Sequence, residues 1–244
     1  MILSIDIGIR NLALCCVSST DPHDITTYCV HYWDTINTLE SDELQKCPAP
    51  RKDGSTCGKS CKYIHENQIS CKTHFPKTVQ LDPKKHTLKK KLIKDYPLSE
   101  IAKVVIIKIN EIYINNKVIF DQMTDILIEL QPTLNPKMKL ISHIIYGKLI
   151  ELYLNKTINI RFVRASQKLK AYTGPELICS LKGAYAKRKW LGIEYCKWFL
   201  ENKMSSTEKE KLLPILLNSQ KADDLSDCFL MSINAICGVP KKNK

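Results

Sequence analysis

The sequence ILSIDIG at residues 2–8 is an apolar run that a single acid, Asp6, interrupts. With the apolar runs at 12–18 and 26–33, it predicts three successive strands, separated by a short turn at 8–11 and a polar turn at 19–24. A carboxylate within such a strand is costly to bury unless it has a partner or binds a metal. Asp6 is therefore a candidate for chemistry, with capping of the following turn as the alternative.

The remaining apolar patterns predict an α/β fold with a mixed sheet flanked by helices. The predicted helices are 98–115, 138–154, 185–201, 207–217 and 222–236, and two further strands are 125–130 and 158–163. The helix at 207–217 opens with the capping pattern Thr207-x-x-Glu210. Residues 41–94 lack this periodicity, so we predict one domain from 1–40 and 95–244, interrupted by an insertion at 41–94.

Three further acids are candidates beside Asp6, one in a strand and two in a helix. Glu129 lies in ILIELQP, near the carboxyl end of a predicted strand. KADDLSD, at 221–227, opens the last helix with Asp224 and Asp227 spaced i, i+3 on one face. The alternative for the first-turn acids Asp223 and Asp224 is a favourable interaction with the helix dipole.

A cluster of four carboxylates suits Mg²⁺ or Mn²⁺, because hard cations prefer oxygen ligands. Asp6, Glu129, Asp224 and Asp227 are therefore candidate catalytic and metal-binding residues. In two-metal phosphodiester hydrolysis the ions lie about 3.5–4 Å apart, one activating water and the other stabilising the leaving oxygen.

The charge of the chain favours an anionic partner. Its 244 residues include 37 Lys and Arg against 25 Asp and Glu, a net charge of +12. Residues 46–94 hold 13 basic and three acidic residues, which is +10 of that total. Because the sequence has neither an apolar stretch of membrane-spanning length nor a signal peptide, we expect an intracellular protein with no membrane association.

Four of the 11 cysteines fall within the basic insertion, which indicates metal binding. The pattern Cys47-x9-Cys57-x13-Cys71-x2-His74 suits a tetrahedral structural zinc ion. Cys61 and His65 are alternative ligands, and a loop with unpaired thiols is the alternative to a metal site.

SIDIGIRNLA, ILIELQP and KADDLSD together resemble the RuvC-like Holliday-junction resolvases, and most closely the poxvirus and mitochondrial branch. The resemblance implies an RNase H-like fold, a homodimer, and Mg²⁺-dependent paired symmetric nicks across a four-way DNA junction. It assigns the family's four acids to Asp6, Glu129, Asp224 and Asp227. Two departures are Ser226, where alanine is common, and the insertion, whose Cys–His pattern resembles zinc knuckles of large DNA viruses.

The resemblance also implies a viral protein acting in the host cytoplasm or nucleus. Candidate DNA-binding residues are Arg10, Lys187, Arg188, Lys189 and Lys221. A solvated lysine at a helix start is the alternative for Lys221. Two other functions remain open: another RNase H-like nuclease acting on flaps or RNA–DNA hybrids, and a non-catalytic zinc-dependent DNA-binding protein.

Overall fold

The computed structural model describes residues 1–38, 46–88, 96–131 and 135–238. The chain divides into two compact units, one from Met1–Thr38 with Leu98–Lys244, the other from Leu39–Pro97. The predicted boundaries at 40/41 and 94/95 lie outside the described residues. The strands are β1 (Ile2–Ile7), β2 (Asn11–Ser18), β3 (Cys29–Asn37), β4 (Tyr63–His65), β5 (Gln68–Ser70), β6 (Asp125–Leu130) and β7 (Asn159–Arg164). The helices are α1 (Pro83–His86), α2 (Leu98–Asn115), α3 (Lys117–Phe120), α4 (Pro136–Leu152), α5 (Ala184–Asn202), α6 (Ser206–Asn218) and α7 (Ala222–Ile236).

The larger unit is built on a mixed five-stranded sheet in the order β3-β2-β1-β6-β7. The pairs β1–β2 and β2–β3 are antiparallel, and the pairs β1–β6 and β6–β7 are parallel. Helix α7 packs on β1 and β2 beside α5 and α6, while α4 packs on β6 and β7 beside α2. The predicted α/β class, a mixed sheet flanked by helices, is confirmed.

Buried hydrogen bonds hold α7 across the middle of the sheet. Ser232 donates to Ser4 in β1 at 2.7 Å, and both side chains are fully buried. The indole nitrogen of Trp33 in β3 donates to the backbone oxygen of Leu225 at 2.9 Å. Because two polar pairs must be satisfied together, the position of α7 along β1 is fixed as well as its distance from the sheet.

The third strand begins later and ends later than the predicted range of 26–33. Asp24 accepts a hydrogen bond from the backbone nitrogen of Thr26, and this cap turns Ile25–Thr27 into a short 3-10 helix instead of a strand. At the other end, Asn37 still pairs with Asn11 of β2. Pairing with the full length of β2 therefore outweighs the loss of apolar character after residue 33.

The capping pattern predicted at Thr207 is wrong by two residues. The side chain of Ser205 accepts from the backbone nitrogen of Glu208, so helix α6 begins one residue earlier than expected. Glu208 is buried and accepts a hydrogen bond of 2.9 Å from the backbone nitrogen of Val30. Glu210 is exposed instead.

The smaller unit contains the β4–β5 hairpin and the single-turn helix α1. Glu66 and Asn67 at the hairpin turn both have positive φ angles, 45° and 64°, as a two-residue turn between right-twisted strands requires. Asp82 caps α1 by accepting from the backbone nitrogen of Lys84. Of the helices in the described ranges, none is both long and apolar enough to cross a bilayer.

Candidate functional site

The parallel pairing of β1 and β6 brings the two strand acids together. Ile5 is paired with Ile128, so Asp6 and Glu129 are the next residues in the same register. Side chains alternate along a strand, and Asp6 shares the face of Ser4, which contacts α7. On that face the two carboxyl groups interact, and each perturbs the pKa of the other.

Helix α7 supplies the other two acids to the same place. Asp224 and Asp227 lie in its first two turns and, with Asp6 and Glu129, line one cleft of about 520 Å³. Gly192 of α5 lies against Asp227, since a Cβ atom at that position would be 3.1 Å from Asp227 Oδ1. The structure therefore brings together all four carboxylates that the sequence singled out.

A lysine that the sequence analysis missed lies between these acids. Lys168 Nζ donates to Glu129 Oε1 at 3.2 Å and forms a second, shorter ion pair with Asp227 Oδ2. It lies on the 3-10 segment Ala165–Ala171, which directly follows β7. That segment has no charge pattern of its own, and one lysine among 37 basic residues gives no signal in the sequence.

Burial and mutual repulsion perturb the pKa values of this cluster. Burial raises the pKa of Asp6 well above its usual range, and the hydrogen bond and charge of Glu129 raise it further. Burial also acts to raise the pKa of Glu129, but hydrogen bonds from Asp6, Lys168 and Gln131, with the charge of Lys168, lower it overall. Burial raises the pKa of Asp227 to about 6 despite Lys168. The cluster thus holds more carboxylate than one ammonium group neutralises.

This donor set fits divalent cations. Carboxylate oxygens are the ligands that Mg²⁺ and Mn²⁺ prefer, and burial has raised the pKa of Asp224 as well as those of Asp6 and Asp227, so added positive charge would stabilise the site. The four carboxylates share a cleft but do not close around one point. Among the described residues, the group of potential ligands whose donor atoms all lie within 4.8 Å of one another is the Cys–His group described below.

The basic candidates lie in different places. Arg188 and Lys189 line the carboxylate cleft, and Lys189 forms an ion pair with Asp223. Lys187 is exposed on α5 next to them. Lys221 is the N-cap residue of α7 and lines a separate shallow groove with Asn11. Arg10 is half-buried in the β1–β2 turn and is not among the residues that line the carboxylate cleft.

In the smaller unit, Cys47, Cys57, Cys71 and His74 form one compact group with all donor atoms within 4.8 Å. Sγ of Cys71 lies 3.5 Å and Sγ of Cys47 3.6 Å from Nδ1 of His74, and Sγ of Cys57 lies 3.9 Å from Sγ of Cys71. With Zn–S bonds of about 2.3 Å and Zn–N bonds of about 2.0–2.1 Å, a regular tetrahedron has edges of about 3.8 Å between sulfurs and about 3.5 Å from sulfur to nitrogen. The group is therefore compatible with tetrahedral zinc.

The pKa values of the thiols in and beside this group differ. Burial acts to raise the pKa of Cys71, but hydrogen bonds from His74 and Thr73 outweigh it and lower that pKa to about 6, which favours the thiolate that binds metal. Cys61 is buried beside Cys47, and burial raises its pKa. His65 packs against Phe75 and His86 and does not belong to the group.

No protein-family model matches this chain, and no curated protein matches it significantly. Among solved structures, it is similar to the fowlpox virus resolvase in complex with substrate Holliday-junction DNA, with 14% identity and a TM-score of 0.46, over 98% of this chain and 99% of that one. It is also similar to T. thermophilus RuvC in complex with a Holliday-junction substrate, with 9% identity and a TM-score of 0.45, over 96% and 92% of the two chains. A second fowlpox virus resolvase structure, at 14% identity and a TM-score of 0.44, covers 96% of this chain and 97% of its own.

Proposed function

We propose that this chain is a Mg²⁺-dependent endonuclease that resolves four-way DNA junctions by paired symmetric nicks. The observation that carries the proposal is the cleft in which Asp6, Glu129, Asp224 and Asp227 meet beside the basic residues Arg188 and Lys189. A buried carboxylate is costly without a compensating charge. Folding stability alone therefore does not explain why two strands and a helix place four acids in one cleft. Metal-assisted phosphodiester hydrolysis does explain it, because the acids would bind the metal ions.

In this proposal the four carboxylates hold the divalent cations, Mg²⁺ or Mn²⁺. Asp6 and Glu129 line the cleft from neighbouring strands, and Asp224 and Asp227 line it from α7. When bound, the cations would lower the pKa of an attacking water and offset the charge on the leaving oxygen. Arg188 and Lys189 at the edge of the cleft would orient the phosphodiester by binding its non-bridging oxygens.

The choice of substrate comes from the sequence motifs. Carboxylates and divalent cations hydrolyse phosphodiesters in many kinds of nucleic acid, whereas SIDIGIRNLA and KADDLSD resemble motifs of junction resolvases in particular. Two nicks placed symmetrically on one junction require two equivalent active sites. The proposal therefore includes a homodimer, in which each copy cuts one strand.

The smaller unit has a separate role in the proposal. Cys47, Cys57, Cys71 and His74 would hold a structural zinc ion, since four protein ligands leave no open position for catalysis. Of the candidate ligands, this set excludes Cys61. The basic residues of the same unit would bind the phosphates of a junction arm, so affinity for DNA should fall steeply with salt.

The experiment is a cleavage assay with four labelled substrates: a synthetic four-way junction, a linear duplex, a flap and an RNA–DNA hybrid. We expect paired nicks confined to the junction in Mg²⁺ and none in EDTA, and Asp6→Asn should bind the junction without cutting it. Preferential cutting of the flap or the hybrid would overturn the junction assignment in favour of another RNase H-like nuclease. Binding without cutting by the unsubstituted protein would overturn the enzyme in favour of a zinc-dependent DNA-binding protein.

The cellular setting is part of the proposal and rests on the motif resemblance. We expect a viral protein that acts on replicating or recombining DNA in the host cytoplasm or nucleus. Immunofluorescence of the tagged protein in infected cells, together with labelled viral DNA, would test this expectation.

A further inference from the structure

Lys168 lies where a cation would bind to the carboxylates. Its ammonium group pairs with Glu129 Oε1 at 3.2 Å and with Asp227 Oδ2, so it links an acid of β6 to an acid of α7. The three side chains are only 14–20% exposed, so water screens these ion pairs weakly. A divalent cation that binds both acids has to compete with this ammonium group.

Lys168 also has space to leave. It lines the carboxylate cleft and, in addition, a second cavity of about 370 Å³ whose lining includes Met231 and Asn234. Asp227, Met231 and Asn234 are spaced i, i+4 and i+7, so they follow one face of α7 over about 10 Å. The second cavity therefore continues along the same helix face from the acid with which Lys168 is paired.

We propose that Lys168 is a displaceable internal counter-ion. It neutralises Glu129 and Asp227 while no divalent cation is bound, and its ammonium group moves away from them, toward the second cavity, when one binds. The inference rests on the metal site of the proposed function. It explains how a cluster of partly buried acids stays folded before metal binds, and it makes metal affinity the result of a competition within the protein.

The test measures Mn²⁺ binding to the DNA-free protein by electron paramagnetic resonance, with Asp6→Asn to identify binding at the cluster. We expect Lys168→Met and Lys168→Gln to bind Mn²⁺ at least about tenfold more tightly than the unsubstituted protein, because a partly buried ion pair is worth more than an exposed one. Lys103→Met is the control, since Lys103 is exposed on α2 and is not among the residues that line either cavity. It removes the same charge and should change affinity by no more than about twofold.

Thermal unfolding in EDTA gives a second readout. The melting temperature of Lys168→Met should fall in EDTA and recover in Mn²⁺, because its acids have lost their internal counter-ion. Lys168→Gln keeps a hydrogen-bond donor in place of the ammonium group. If Lys168→Met does not fold without metal, the Mn²⁺ affinity and melting temperature of Lys168→Gln still test the proposal.

Equal or weaker Mn²⁺ binding by both Lys168 variants would overturn the competition itself.

These outcomes are separable from those of the proposed function. If Mn²⁺ binding responds to Lys168 as expected but no junction is cut, the proposed function is wrong and the counter-ion stands. If junctions are cut in Mg²⁺ but the Lys168 variants bind Mn²⁺ no more tightly, the inference alone fails.

Discussion

Substitution of Cys71 by serine should release the zinc ion of the smaller unit and unfold that unit. Cys71 Sγ lies 3.9 Å from Cys57 Sγ and 3.5 Å from His74 Nδ1. These two distances are edges of the tetrahedron of donor atoms, so loss of the Cys71 thiol would open it. Structural zinc contributes about 10–16 kcal/mol to the folding of small domains. Burying one large side chain such as Phe75 contributes only about 2 kcal/mol. A bound zinc ion would therefore be the dominant stabilising interaction in this unit.

The assay is zinc content per chain, measured by a colorimetric chelator after gel filtration, with circular dichroism to follow unfolding. The unsubstituted protein should hold one zinc ion, and Cys71→Ser should hold none. Cys61→Ser is the matched control: it removes an equally buried thiol that lies beside Cys47 but outside the donor group. It should keep one zinc ion and the folded spectrum.

The reasoning would be refuted by either of two results. Retention of one zinc ion by Cys71→Ser would show that another residue completes the site. Loss of zinc from Cys61→Ser would show that Cys61 is a ligand and that the observed donor group is not the one that binds.

Three further substitutions test the larger unit. Gly192→Ala places a methyl group 3.1 Å from Asp227 Oδ1. It should displace that carboxylate and slow cleavage about tenfold, with the melting temperature almost unchanged. Full activity would contradict the close packing of Gly192 against Asp227. Ser232→Ala leaves the buried hydroxyl group of Ser4 in β1 without its partner. It should lower the free energy of unfolding, measured in urea, by about 1–3 kcal/mol. Glu208→Ala should lower the free energy of unfolding by about 1–3 kcal/mol as well, because Glu208 is buried and hydrogen-bonded. Glu210→Ala should change it by no more than about 0.5 kcal/mol, because Glu210 is exposed. Equal effects of the two substitutions would contradict the buried role of Glu208.

The sequence predicted most helices and strands of the larger unit to within two residues. Strong periodicity made this possible at α2, β6 and α7, where the observed bounds match the predicted ones. Prediction failed at β3 and α6 because hydrogen bonds, not apolar periodicity, decide where these elements begin and end. The side chains of Asp24 and Ser205 form local caps, and the pairing partner of Asn37 is supplied by another strand, so apolar periodicity does not report these ends.

The candidate site was predicted in part. Asp6 and Glu129 stood out because acids are costly in apolar strands, and the structure brings them together with Asp224 and Asp227. Lys168 was not predicted. Its importance depends on its ion pairs with Glu129 and Asp227, which are distant in the sequence. Nothing in the sequence around a lysine in a lysine-rich chain identifies the acids with which it pairs.

The sequence alone determined which acids are anomalous, which thiols and imidazole have metal-ligand spacing, and where the chain changes from an apolar pattern to a basic insertion. These features are local, since they depend on residue type and on the periodicity of the backbone. The tertiary structure alone decided that parallel pairing of β1 with β6 aligns Asp6 with Glu129, and that α7 crosses the sheet where Ser232 meets Ser4. It also decided which lysine neutralises the acids, because strand order and helix packing bring together residues that no spacing along the chain relates.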